Sequence, residues 1–99
     1  MLKNLYDGFN TLVIEDTLKG TIEIFAQLIS ERKGIFGTYR FLKNEEGKAY
    51  MWMVIKSPFG QGAIQRLIQF SSWQELEFYV GADWVLQSIA EGILADTIH

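Results

Sequence analysis

The amino-acid sequence predicts an α+β fold: a three-stranded antiparallel meander sheet flanked by an N-terminal helix and a long C-terminal helix. Three observations carry this prediction. Residues 49–55 are apolar on both faces of a strand, a turn signal stands directly before them, and helix-like apolar spacing recurs nearer both ends of the chain. The 99 residues are close to the usual size of one domain, so residues 1–99 are expected to form a single unit.

Residues 1–15 fit more than one structure. Asp7-Gly8 is a turn signal, and residues 11–14 are rich in β-branched side chains, which favours a short strand or an irregular arm. Apolar residues at positions 2, 5, 9 and 12 also recur at helical spacing. A strand here would make the sheet four-stranded.

Residues 17–33 are predicted to form the N-terminal helix. Asp16 can cap its first turn, and Gly34 suits its end. Apolar residues recur at intervals of four, three and four, the spacing of one helical face: Leu18, Ile22, Phe25 and Ile29.

Residues 35–43 and 48–56 are predicted to form a hairpin, because the segment from Asn44 to Lys48 matches a type I turn followed by a glycine bulge. This turn places Phe41 opposite Met51 and Arg40 opposite Trp52. A third strand is predicted at residues 63–70. One sheet face, the core face, then holds Ile35, Tyr39, Phe41, Met51, Met53, Ile55, Ile64, Ile68 and Phe70, with Arg66 out of place. The reverse face holds Thr38, Arg40, Leu42, Tyr50, Trp52, Val54, Gln65, Leu67 and Gln69.

Residue 73 to about residue 95 are predicted to form one long helix that starts with a capping box of Ser72 and Glu75. Its apolar stripe keeps one phase across Gly81: Leu76, Tyr79, Ala82, Leu86, Ile89 and Ile93. Trp73 and Trp84 fall off this stripe, on the acidic side of the helix.

Charge is distributed unevenly along this chain, whose formal net charge is -3. Residues 32–66 carry seven basic residues and two acids, whereas residues 67–99 carry five acids and no Lys or Arg. The basic middle either packs beside acidic helices or meets an anionic partner. There are no cysteines and no membrane-length apolar run, and the first residues predict no signal peptide. These features predict a cytoplasmic protein without disulfides, thiolate metal sites or a membrane partner.

Catalytic chemistry has little basis in the sequence, which therefore predicts no enzyme, no cofactor and no metal site. The only histidine is the last residue, His99, and no calcium-loop spacing of acids occurs. Adjacent acids such as Glu15 and Asp16 suit helix capping. The loop at residues 57–62, with Phe59 at its tip, lacks the helix start and the Lys-Ser/Thr ending of a phosphate-binding loop.

The remaining candidates are aromatic and polar side chains suited to binding a partner. Trp, Tyr and Arg are the residue types enriched at interface hot spots. The candidate residues are Arg40, Tyr50, Trp52, Gln65 and Gln69 on the reverse face, with Trp84 on the C-terminal helix. Either the reverse face meets a partner, or residues 1–15 or a helix cover it. Trp84 likewise is either shielded by the N-terminal arm or available.

We therefore expect a non-enzymatic protein–protein interaction module, which also forms a homodimer because a small domain with exposed aromatics can cover them by self-association. Its small size, acidity and lack of catalytic groups resemble the general type of small phage-encoded inhibitors of host defence, although no motif carries that resemblance. One alternative is a nucleic-acid-binding regulator that uses the aromatic face with Arg40, Lys43, Lys48, Lys56 and Arg66. A second alternative is a small enzyme or ligand-binding domain with a pocket under the sheet.

Overall fold

The computed structural model describes residues 8–34, 37–56 and 62–96. Five strands are followed by two helices: β1 (Asn10–Asp16), β2 (Gly20–Lys33), β3 (Gly37–Asn44), β4 (Ala49–Lys56), β5 (Ala63–Phe70), α1 (Trp73–Val80) and α2 (Trp84–Asp96). The strands form one antiparallel sheet in chain order, which curls into a half-barrel. The predictions for residues 1–7, Ile35, Phe59 and His99 lie outside the described residues.

The predicted N-terminal helix is wrong, because residues 20–33 form the long strand β2. Its inner side chains, Ile22, Ile24, Ala26 and Leu28, alternate with outward ones, which is the period of a strand. The apolar residues of this segment fit a helical face and also, in part, the alternation of a strand. Hydrogen-bonded pairing with β1 and β3 favours the strand. The fold is therefore a five-stranded sheet with two C-terminal helices, and residues 10–16 supply the strand that the sequence left open.

The predicted register of the β3–β4 hairpin is confirmed. Phe41 faces Met51, Arg40 faces Trp52, and Tyr39 faces Met53. In the turn, the Asn44 amide donates to the Lys48 carbonyl over 3.0 Å, and Gly47 has the positive φ of 85° that the bulge requires. In β5, Arg66 pairs with Met53, as the predicted division into two faces requires.

The predicted long C-terminal helix is also wrong, because the chain breaks at Gly81, with φ 73° and ψ -166°. Asp83 then begins α2: its Oδ1 accepts the amides of Val85 and Leu86, each over 3.0 Å. At the start of α1, Glu75 accepts hydrogen bonds from Ser71 and not from the predicted Ser72. A glycine stop followed two residues later by an aspartate cap is thus stronger than the continuous apolar stripe.

The sheet has an apolar core on each face. The helices cover the core face through side chains that include Phe41, Met51, Phe70, Trp73, Leu76, Leu86, Ala90 and Ile93. The curl of the sheet covers the reverse face, because β1 and β2 fold over β3 to β5 and enclose Ile14, Ala26, Leu28, Leu42 and Leu67. Within the described ranges, no helix has the length and apolar character needed to cross a membrane.

The curl is held closed at a seam between the end of β1 and the edge of β5. The Thr17 amide donates to the Gln65 carbonyl over 2.7 Å, and the Gln65 amide donates to the Thr17 hydroxyl over 2.8 Å. Beside them, the buried Asp16 carboxylate accepts the Leu67 amide over 2.9 Å. The outward-facing groups of this part of β5 are therefore satisfied by the chain itself.

Candidate partner-binding site

Three of the predicted binding residues form one network at one end of the reverse face. The Arg40 guanidinium carbon lies 4.5 Å from the centre of the Trp52 ring, and Arg40 Nε donates to Glu31 over 3.2 Å. Trp52 Nε1 donates to the Gln65 side-chain oxygen over 3.3 Å. Trp52 is only half-buried, but its ring packs against the enclosed core. The polar groups of this network already bind one another, so a partner would have to replace these contacts.

Tyr50 and Gln69 lie two residues further along the same face, directly opposite each other. Tyr50 is half-buried against the enclosed core, and Gln69 is exposed. The five reverse-face candidates therefore share a face as predicted, but β1 and β2 cover the centre of that face. The sequence left open whether residues 1–15 or a helix would cover it, and the structure shows that strand β1 does so together with β2. Their role in binding stays a prediction.

Trp84 lies apart from the other candidates, on the helical side of the sheet. It is the first residue of α2 and is 77% exposed. The Asp83 cap fixes the helix start directly before it, so the backbone that carries the indole ring is ordered. Trp73, which was predicted to lie off the apolar stripe on the acidic side of the helix, is buried in the core instead.

Two further aromatic residues accompany Trp84 where α1 meets α2. Phe78 is 86% exposed, and its ring contacts Tyr79 edge to face, with 5.2 Å between the ring centres. Tyr79 is 38% exposed and lies on the guanidinium of Arg66, whose carbon is 5.6 Å from the ring centre. We call the segment from Glu77 to Trp84 the helical corner.

The break at Gly81 explains why these rings are exposed. Because α1 ends there, its buried stripe is Trp73, Leu76 and Val80, at intervals of three and four residues. Phe78 and Tyr79 fall outside this stripe. The sequence analysis missed Phe78 because it extended one stripe through both helices, yet the off-stripe position of this aromatic residue was already visible.

Among residues 8–34, 37–56 and 62–96, two titratable groups have shifted pKa values, and both face partners within the chain. Burial acts to raise the pKa of Asp16, but the amides of Leu67, Lys19 and Leu18 and the charge of Arg66 together hold it below 3.8. The sequence analysis assigned Asp16 to a helix cap, whereas it joins the turn after β1 to β5.

Tyr39 is the second such group, on the core face of β3. Burial and the nearby negative charge of Asp83 raise its pKa above 10.0. Its phenol is therefore neutral at physiological pH.

Two other surface features lie outside the helical corner. Phe9 and Phe25 stack on the outer face of the β1–β2 hairpin, with ring centres 5.9 Å apart. A mostly apolar cavity of about 570 Å³ lies between the β3–β4 turn and the end of α2, with Lys48 and Glu91 among its lining residues. Ser71 also lines this cavity, and its hydroxyl donates a hydrogen bond to the exposed Glu75 carboxylate over 3.1 Å.

Comparison with known proteins gives no relative from which a function could be transferred. No protein-family model, curated protein or solved structure matches this chain. Over residues 8–34, 37–56 and 62–96, there is no group of three or more acidic, His or Cys residues placed to hold a metal ion. Any functional proposal must therefore rest on the surface of the molecule.

Proposed function

We propose that this chain is a non-enzymatic protein–protein interaction module and that its partner binds at the helical corner. The observation that carries the proposal is the exposure of Phe78 and Trp84, the two most exposed large apolar side chains of the described residues. Aromatic residues of this kind form interface hot spots, because they bury much apolar area and have few rotatable bonds.

The rigidity of the corner supports the proposal. Gly81 ends α1, and Asp83 caps α2, so Phe78 and Trp84 both project from helical backbone. A partner that docks there would lose little entropy in ordering the site, which improves affinity without further contacts.

The packing of the other aromatic residues in the two cores also favours the corner as the binding site. Trp52 and Tyr50 pack against the enclosed core, and Trp73 packs under the helices. Their truncation would damage the fold, whereas truncation of Trp84 or Phe78 should change stability by about 0.5 kcal/mol or less. Binding and folding can therefore be separated at the corner.

A peptide-display selection tests the proposal. Random peptides are selected on the wild-type chain, and the enriched peptides are then measured against Trp84→Ala, Phe78→Ala and the control Phe25→Ala. Phe25 is also an exposed aromatic residue. It stacks on Phe9 on the outer face of the β1–β2 hairpin, outside the helical corner.

We expect peptides that bind wild type and Phe25→Ala equally, and that bind each corner variant at least tenfold more weakly. Circular dichroism of every variant confirms that the fold is retained. The proposal fails if no peptide is enriched, or if the enriched peptides bind Trp84→Ala and Phe78→Ala as well as they bind wild type.

The nucleic-acid alternative receives less support. Of the five cations that it would use, Arg40 and Arg66 are paired with Glu31 and Asp16, and Lys48 lies 3.7 Å from Glu46. Self-association likewise stays a prediction, and sedimentation equilibrium of the wild-type chain measures it directly.

A further inference from the structure

The helical corner lies in the most acidic part of the chain. From residue 67 to residue 96 there is no Lys or Arg, and the acids are Glu75, Glu77, Asp83, Glu91 and Asp96. Glu77 precedes Phe78 and Asp83 precedes Trp84, so each exposed ring has a carboxylate next to it in the chain. Arg66, the cation that lies on the Tyr79 ring, is paired with the buried Asp16. From Glu77 to Trp84 the corner carries two acids and no Lys or Arg, so its own formal charge is negative.

Exposed aromatic faces and carboxylates together favour a cationic ligand. The ring face of Trp, Tyr or Phe attracts Arg and Lys electrostatically, and Trp does so most strongly. The corner already shows this chemistry once within the chain, because the Arg66 guanidinium lies on the Tyr79 ring at 5.6 Å. The rings of Phe78 and Trp84 are exposed and could bind a cation of a partner in the same way.

The same charge disfavours other occupants. In a two-fold dimer through this surface, the same patch of both copies meets, which would place two copies of Glu77 and of Asp83 in one interface. Nucleic acid and an anionic membrane surface would be repelled for the same reason. A basic protein segment fits the corner better, because its positive charges complement Glu77 and Asp83 and its apolar side-chain atoms can pack on the exposed rings.

We propose that the helical corner binds a basic segment of a partner protein, with Lys or Arg side chains against Phe78 and Trp84 and their charges near Glu77 and Asp83. This inference rests on the proposed function and specifies its partner. Rim charges mainly set association rate and salt dependence, and the aromatic rings supply most of the affinity.

The test uses synthetic labelled peptides and fluorescence anisotropy. One peptide alternates Lys and Arg with Leu, and its matched partner carries Gln in place of every basic residue. The chain is measured as wild type, Glu77→Gln, Asp83→Asn and Trp84→Ala. Asparagine caps a helix as well as aspartate does, so Asp83→Asn removes the charge and leaves the start of α2 intact.

Glu46→Gln is the control for net charge. Glu46 lies in the β3–β4 turn, and the neighbouring Gly47 and Lys48 line the cavity at the C-terminal end of α2. Trp84 begins that helix, and the α2 residues that line the cavity lie about 10–17 Å further along the helix axis, so the control lies away from the corner. A general attraction of this acidic chain for cations would respond equally to all three charge substitutions.

We expect the basic peptide to bind more tightly than the Gln peptide, with an affinity that falls as salt rises. Glu77→Gln and Asp83→Asn should each weaken binding by about two- to fivefold, Trp84→Ala by more than tenfold, and Glu46→Gln by less than twofold. Equal binding of both peptides, still dependent on Trp84, would overturn the charge inference and leave the proposed function standing.

Other results would contradict the proposed docking site or the basic-segment proposal. If neither peptide shows binding that depends on Trp84, the corner is not the docking site. If the three charge variants behave alike, the attraction is general and the basic-segment proposal fails. A concentration-dependent dimer that Trp84→Ala abolishes would identify a second copy as the occupant and overturn the proposal as well.

Discussion

Removal of the Asp16 carboxylate is expected to open the seam that keeps the sheet curled. Asp16 Oδ1 accepts the amides of Leu18 and Lys19 over 2.9 Å each, and Oδ2 accepts the Leu67 amide over the same distance. Arg66 Nε lies 3.4 Å from both oxygens. The side chain is fully buried, so water cannot replace these contacts without a rearrangement.

The cost of Asp16→Ala follows from what each partner loses. The Leu67 amide is buried, and leaving it unpaired costs about 1–3 kcal/mol. Arg66 is 17% exposed and loses its counter-ion, and breaking such a pair typically costs about 3–5 kcal/mol in total. The two turn amides become hydrated at lower cost. We expect a loss of about 3–5 kcal/mol in the free energy of unfolding.

Asp16→Asn distinguishes the contribution of the turn bonds from that of the seam bonds. One amide oxygen can still accept the bonds of Leu18 and Lys19, but the NH₂ group then faces the Leu67 and Arg66 donors. We expect a loss of about 1.5–3 kcal/mol, the usual value of a hydrogen bond to a charged group. The neighbouring Glu15→Gln is the control, because Glu15 is exposed and accepts a hydrogen bond from the Thr21 hydroxyl across the β1–β2 hairpin.

Urea unfolding measures all three variants, and amide exchange at Leu67 reports the seam directly. The wild-type pKa of Asp16 is lowered in the folded state, so its stabilising effect is present above pH 3.8 and is lost as pH falls through the folded value. Asp16→Asn should lack this acid-dependent loss. A cost below about 0.5 kcal/mol, equal to that of Glu15→Gln, would refute the seam as the device that holds the curl.

Three further substitutions test other parts of the structure. Gly37→Ala should destabilise by about 1–3 kcal/mol in urea unfolding, because the added Cβ would overlap the Val54 carbonyl oxygen. Gly92→Ala meets no atom within 4 Å in α2 and should stabilise by about 0.5–1 kcal/mol in the same assay; a loss would contradict the helix there. Asp83→Asn should lower the raised pKa of Tyr39, read by NMR titration of the phenol. Because folding raises that pKa, the wild-type chain should lose stability as pH rises above 10.0, and less so in the variant.

Short-range signals were enough to predict the centre of the sheet. The turn from Asn44 to Gly47 fixes the pairing of its own two strands, and side-chain alternation then assigns each residue to a face. The same alternation places Gln65 and Gln69 on the face of Trp52. These steps use residues that are near one another in the chain, so the sequence contains the information they need.

Strand β2 could not be assigned in the same way. Leu18, Ile22, Phe25 and Ile29 fit a helical face, while Ile22, Ile24, Ala26 and Leu28 fit a strand. The strand is favoured because β1 and β3 pair with both of its edges, and those contacts are made only when the sheet forms. Assignment of residues 10–16 to a strand would have provided a pairing partner for one edge of β2 and so favoured a strand there.

The curl of the sheet decides which aromatic residues remain for a partner. Alternation showed that Trp52 lies on the reverse face, but whether that face is bare depends on the seam at Asp16, which joins residues far apart in sequence. Once the seam closes, both sheet faces are used within the chain, and Trp52 contributes to packing. The most exposed aromatic side chains of the described helices are then Phe78 and Trp84, which lie on either side of the break at Gly81. A binding role for this protein is therefore better sought at the helical corner than on the sheet.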